Sequence, residues 1–210
     1  MKNKEKYKRN LPHIQPPGQI FFVTWNLKGS IPKSRLLQLQ NDYKKQIKNI
    51  NDKKKKDIEG KIYFKKYDNE LHRLSKRNDF LKDDKFAKIV AETIHFWDNR
   101  RIELYAYCIM SNHVHAVFRV YNKNENGEIQ YLHNIMESIK KFSARKCNKI
   151  LNREGNAFWQ DESYDRLVRD RGELYRIISY ILDNPVVAGL CKERSNWKWT
   201  YIKKDYNEFM

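Results

Sequence analysis

An α+β fold is the class this sequence predicts: one antiparallel sheet with its core helices on one face. Three observations point to it. Strand-like aromatic and β-branched runs alternate with amphipathic helical stretches. With one lysine-rich stretch set aside, the order reads β, α, β, β, α, β, α. The 210 residues are enough for one core plus an insertion. The first six elements follow the split βαβ plan of ferredoxin-like folds, and the seventh adds a helix near the C-terminus. That plan hosts many functions, so function must be argued from particular residues.

The elements follow in chain order. Residues 1–18 read as a loosely held basic arm ending in Pro16, Pro17 and Gly18. QIFFVTWNL, residues 19–27, reads as a strand, and Gly29 and Pro32 break the chain after it. Residues 33–82 read as a lysine-rich helical insertion within a single domain spanning 1–210. Leu36, Leu37, Leu39, Tyr43, Ile47 and Ile50 recur at roughly helical spacing there, and Ile62, Tyr63, Phe64, Tyr67, Leu71 and Leu74 suggest a returning helix. Its lysines suit a solvated helix face as well as a DNA contact. Residues 85–99 form an amphipathic helix buried through Phe86, Ile89, Val90, Ile94 and Trp97. IELYAYCIM and HVHAVFRV are strands flanking Ser111 and Asn112. A helix over 131–151 turns Leu132, Ile135, Met136, Ile139 and Phe142 inward and Lys141 and Arg145 outward. A short strand is expected within 157–169. The last helix runs from Gly172 to Asn184, where Pro185 limits it. Trp197, Trp199 and Tyr201 then wrap back onto the domain.

The formal net charge is +17, well beyond the magnitude of about 2 to 8 usual for a small soluble domain. Such a field attracts polyanions, and nucleic acid is the commonest. A membrane surface would call for a basic amphipathic helix with an aromatic or leucine face, which is not evident. No run approaches the roughly 18 apolar residues of a membrane span. No signal-peptide core follows the basic N-terminus, and Cys108, Cys147 and Cys191 form no paired motif. The expectation is a cytoplasmic protein, nucleoid-associated when on DNA.

His113 and His115 stand two apart in a strand, so both imidazoles leave the same face while Val114 enters the core. Side by side they make half of a metal site, or two hydrogen-bonded histidines on a half-buried sheet. His13, His72, His95 and His133 stand singly and read as structural or solvated. On the closing helix, Leu174, Ile177, Ile178 and Ile181 form an apolar stripe, with Tyr180 on its flank and Asn184 one turn further along. Both reach one point above a neighbouring sheet. The alternative is an amphipathic boundary tyrosine and a helix-ending asparagine.

AYCIMSNHVHAVF, residues 106–118, resembles the signature of HUH single-strand transposases, named for two histidines around a bulky hydrophobic residue. FWQDESYDRLVRD, residues 158–170, and YILDNPVVAGL, residues 180–190, resemble the strand region and catalytic helix of the branch of REP-associated tyrosine transposases, an IS200-like group. The C-terminal WKW also has a counterpart, and together these strings cover about half of the chain. Ser111 departs from the proline usual in the branch.

The resemblance implies that His113 and His115 are metal ligands, that Asn184 is the third, and that Tyr180 is the nucleophile. It implies cleavage of single-stranded DNA through a 5′-phosphotyrosine link, with Mg²⁺ or Mn²⁺ suiting imidazole and amide oxygen donors. DNA hairpins or palindromes are the implied partner of a monomer or homodimer. Lys141, Arg145, Arg166 and Arg169 are candidate DNA contacts, and Trp159 is a candidate base-stacking residue or a core tryptophan. Tyr175 and Tyr164 are the next candidate nucleophiles. A competing reading is a non-catalytic nucleic-acid-binding module on a ferredoxin-like sheet, although no RNP string is evident. A larger relaxase of the same chemistry would need domains for which 210 residues leave no room.

Overall fold

The computed structural model describes residues 6–8 and 12–209, with side chains from Gln15 onward. Much of the expected basic arm, including residues 1–5 and 9–11, lies outside the described residues. Two short strands, β1 (Lys6–Lys8) and β2 (Pro12–Ile14), pair antiparallel. The main sheet has five antiparallel strands in the order β6-β3-β5-β4-β7. These are β3 (Ile20–Asn26), β4 (Ile102–Ile109), β5 (His113–Val120), β6 (Tyr164–Leu167) and β7 (Thr200–Ile202). The helices are α1 (Lys33–Ile47), α2 (Lys53–Arg73), α3 (Asp84–Trp97), α4 (Leu132–Ile150) and α5 (Arg171–Val187). The predicted α+β class and its β, α, β, β, α, β, α order are both present.

Two-residue alternation sorts the sheet into two cores. Phe21, Val23 and Trp25 of β3 and Val114, Ala116 and Phe118 of β5 pack against Val90 and Ile94 of α3 and Ile135 and Ile139 of α4. Phe22 of β3 and Val117 of β5 face the other way, toward Leu174, Ile177, Ile178 and Ile181 of α5, with Phe64 of α2 at the edge. The register shift between Leu104 and Ala106 keeps β4 consistent across its length. It lets Leu104 and Tyr107, three apart, face the same core. The sheet is therefore a middle layer, and both of its faces are covered.

Three expectations are corrected. Pro185 lies inside α5, which continues to Val187. It stands in the last turn, where its missing N–H removes a single ladder bond. Phe142 is 42% exposed rather than buried, with Arg145 and Lys146 over its ring. The C-terminal tail does more than wrap back: Thr200–Ile202 forms edge strand β7 on β4, and the Trp197 indole donates to the Ile109 carbonyl at 3.0 Å. No helix among the described residues is long and apolar enough to cross a membrane.

α2 lies over the same sheet face as α5. Asp52 caps its start by accepting from the N–H groups of Lys54 and Lys55. Its far end is tied to the β4–β5 turn, where Ser111 Oγ donates to Ser75 O at 3.0 Å and Asn112 Nδ2 donates to the Leu71 and Leu74 carbonyls. Serine at position 111 thus makes a tether that proline could not. The spacing of Lys61, Phe64, Asp68 and His72 puts all four on one face of α2.

Candidate active site

His113 and His115 open β5 on the face covered by α2 and α5, and both are fully buried. His113 Nδ1 lies 2.6 Å from Asn112 Oδ1. Because the Asn112 amide nitrogen is already donating to α2, its oxygen must accept, so His113 carries its proton on Nδ1. That leaves a lone pair on His113 Nε2, which lies 3.0 Å from His115 Nε2. Burial, reinforced by His115 and opposed by Asp68, pushes the His113 pKa well below the imidazole range and keeps it neutral. His115 Nδ1 meets Thr24 Oγ1 of β3 at 2.7 Å, across the ladder where the two residues pair. A hydroxyl donates or accepts, so Thr24 supports either tautomer of His115.

Asp68 of α2 enters this space from above. Its Oδ1 is buried 3.2 Å from His115 Nε2 and 3.8 Å from His113 Nε2, and forms no hydrogen bond. Its Oδ2 accepts from the Tyr180 hydroxyl and lies 3.6 Å from His72 Nε2. Burial works against the Asp68 charge, but the imidazoles of His115, His113 and His72 attract it when protonated, and that attraction holds the carboxyl below its usual range. Asp68, His72, His113 and His115 each offer one ligand atom, all within 4.8 Å of one another.

An orphaned carboxylate oxygen beside ring nitrogens is costly to leave buried. A divalent cation would satisfy it, and the oxygen-plus-imidazole donor set fits one. His72 is therefore not a solitary histidine. The pattern Asp-x-x-x-His, two potential ligands one turn apart on a helix, was the signal available for finding it.

Tyr180 stands on the flank of α5, its ring edge-on to Phe22, Phe64 and His115. Burial first, then the charge and hydrogen bond of Asp68, raise its pKa well above the usual phenol value. The resting side chain is a protonated phenol. Asn184, one turn on, sends its Oδ1 to His72 Nε2 at 2.9 Å and its Nδ2 to the Tyr180 carbonyl at 2.7 Å. The structure gathers His113, His115, Tyr180 and Asn184, with Asn184 reaching the cluster through His72. Tyr175 instead packs on Tyr206 and Phe209, whereas Tyr164 stacks on Phe64 at 4.4 Å between ring centroids.

The candidate DNA contacts divide. Lys141 and Arg145 are exposed on α4, beyond the opposite face of the sheet. Arg166 is held by Glu173 at 2.7 Å, and Arg169 by Asp57 at 2.6 Å. Of its two readings, Trp159 takes the core one: it is 4% exposed, edge-on against Trp25 and Phe158, and its indole donates to Ser143 Oγ at 2.9 Å. A ring enclosed on that side has no free face for a base.

A histidine pair on a central strand thus lies beneath a helix-borne tyrosine, and sequence comparison gives the family. The family described as "Transposase IS200 like" matches residues 70–184, more than half of the chain. The chain belongs to the IS200-like transposase family. It is 24% identical over 110 residues to a Haemophilus influenzae protein described as a REP-associated tyrosine transposase. That match covers 49% of this chain and 60% of that protein's length. Among solved structures, it resembles a REP-associated tyrosine transposase bound to a REP hairpin, with a TM-score of 0.50 and 16% identity. The likeness covers 92% of this chain and 80% of the other, and it speaks to the fold.

Proposed function

We propose that this protein is a single-strand DNA endonuclease and strand transferase of the REP-associated kind, in which Tyr180 attacks a DNA phosphodiester. The observation that carries this reading is the shared carboxylate: one oxygen of Asp68 holds the Tyr180 hydroxyl, and the other lies unpaired beside His113 and His115. Nucleophile and ligand cluster are thus one residue apart. His113, His115 and Asp68 would hold Mg²⁺ or Mn²⁺, with Asn184 the further donor as its oxygen passes from His72 to the cation. When bound, the cation supplies charge that offsets Asp68 and polarises a phosphate oxygen.

The chain's own residues do the rest. Asn112 and Thr24 orient the two imidazoles. Asp68 and the packing of Phe22 and Phe64 aim the phenol. As Tyr180 Oη loses its proton, a bond forms from Oη to phosphorus, the bond from phosphorus to the 3′-oxygen breaks, and that oxygen takes up a proton. The product is a 5′-phosphotyrosine link that another 3′-hydroxyl can reverse. DNA hairpins are the proposed partner, with Lys141 and Arg145 exposed for phosphates. The lysine-rich segment 33–82 is proposed to belong to this single domain as part of the site, since α2 supplies Asp68 and His72.

The test is a covalent adduct with labelled single-stranded DNA carrying palindromes, formed with Mn²⁺, absent with EDTA, and absent in Tyr180→Phe. Binding without any adduct would return the protein to the non-catalytic class. An adduct that persists in Tyr180→Phe would move the nucleophile to another residue, with Tyr175 and Tyr164 next in line.

A further inference from the structure

Beside Tyr180 is a cavity of about 260 Å³ whose lining includes no histidine. Its floor is aromatic and apolar: Phe22 of β3, Phe64 of α2, Tyr164 of β6 and Ile177 of α5, with Tyr180 itself as one wall. Phe64 and Tyr164 are stacked, and Phe22 meets Phe64 edge-on at 5.2 Å between centroids. The rim carries three cations, Lys61, Arg166 and Arg176, and one carboxylate, Glu173. Two of its cations are committed: Lys61 to Asp57 at 3.0 Å, and Arg166 to Glu173. The third, Arg176, is exposed and has no carboxylate partner among the described residues. It stands one turn before Tyr180 on the same flank of α5.

An apolar aromatic slot with an unpaired guanidinium at its mouth matches one unit of a DNA strand, a base with its phosphate. Accordingly, we propose that this cavity binds the first nucleotide on the 3′ side of the cleaved phosphate. Its base would lie on Phe64 and Tyr164, and Arg176 would hold the next phosphate along. This deepens and rests on the proposed phosphotyrosine chemistry. In that chemistry the nucleotide on the 3′ side stays joined to Tyr180 through its 5′-phosphate, so its base must lie within one sugar of Tyr180 Oη, and Tyr180 is itself a wall of the cavity. Arg176 is a positioning residue in this scheme, and Phe64 and Tyr164 set which nucleotide step is retained.

The probe is a 5′-phosphorylated, fluorescein-labelled thymidine pentanucleotide, compared with the same pentamer lacking only its first base. Anisotropy titrations would use the full chain carrying Tyr180→Phe, so that binding is read without cleavage. Deleting the first base should weaken binding about tenfold, the scale of one base–aromatic stack. Phe64→Ala should remove that difference. Arg176→Gln, at an exposed position with little bearing on folding, should weaken both pentamers alike and flatten their salt dependence. Equal affinity of the two pentamers for the Phe64-containing protein overturns the proposal, as does an Arg176→Gln variant that binds with unchanged affinity and salt slope. The adduct assay on the unsubstituted protein reads the nucleophile separately. An adduct without a base penalty sinks the pocket alone, and a base penalty without an adduct sinks the chemistry alone.

Discussion

Replacing Asp68 with Asn should move apo stability and metal stabilisation in opposite directions. In the metal-free protein Asp68 Oδ1 is a buried carboxylate oxygen 3.2 Å from His115 Nε2 with no hydrogen bond. An unsatisfied buried polar group costs about 1 to 3 kcal/mol, and more when charged. Asparagine keeps an acceptor for the Tyr180 hydroxyl and discards the charge, so above the pH at which the imidazoles protonate, Asp68→Asn without metal should be at least as stable as the natural protein. With Mn²⁺ the order inverts. At a concentration 100 times its dissociation constant, a ligand stabilises the folded state by about 2.7 kcal/mol, which for a chain of this size is a rise in Tm of about 5 to 10 °C. If losing the carboxylate weakens binding about 100-fold, the same Mn²⁺ gives only about 0.4 kcal/mol, a shift of about 1 to 2 °C. Calorimetric scans of both proteins with EDTA and with Mn²⁺ measure all four values. An Mn²⁺ shift of equal size in the two proteins would refute Asp68 as a ligand. An apo variant several degrees less stable would refute the claim that the carboxylate is unsatisfied.

Other outcomes follow from the same geometry. Burial is the leading cause that lowers both His72 and His113 from their ordinary value of 6.5. Below that pH the unfolded imidazoles take up protons that the folded ones refuse, so their stabilisation is full above about 6.5 and lost as pH falls toward the folded pKa values. Each contributes a slope of up to about 1.4 kcal/mol per pH unit. Urea melts of the metal-free protein between pH 7.5 and 5 would show it, and a flat profile would contradict it. Trp159→Phe should cost about 1 to 3 kcal/mol through the lost Ser143 bond and a small void, yet leave single-strand affinity unchanged by anisotropy. A selective loss of affinity would restore the base-stacking role. Lys141→Ala and Arg145→Ala should each reduce the slope of log K against log salt by about 0.7 to 0.9 if they meet phosphates. Arg166→Ala, which strips a partner from buried Glu173, should instead act mainly on thermal stability.

What the sequence by itself determined was whatever depends on neighbours along the chain. Two-residue alternation put His113 and His115 on one face and Val114 on the other. The 3.6-residue period put Tyr180 and Asn184 on one flank of α5, and the order of the elements matched the α+β plan. These are short-range consequences of backbone geometry. Only the tertiary structure decided what meets those faces. Asp68 and His72 come from a helix more than 40 residues upstream of the histidine strand, within a stretch whose lysines suggested a solvated surface. They reach the site because Ser111 and Asn112 tether α2 across the sheet. The same holds for Trp159, which packs on Trp25, and for Phe142, whose place in the helical period pointed inward but whose ring found no layer above it. Strand β7 exists because the edge of β4 was open to pair with it. Burial and ligation are set by which surfaces come together across long stretches of chain, and no local period encodes that.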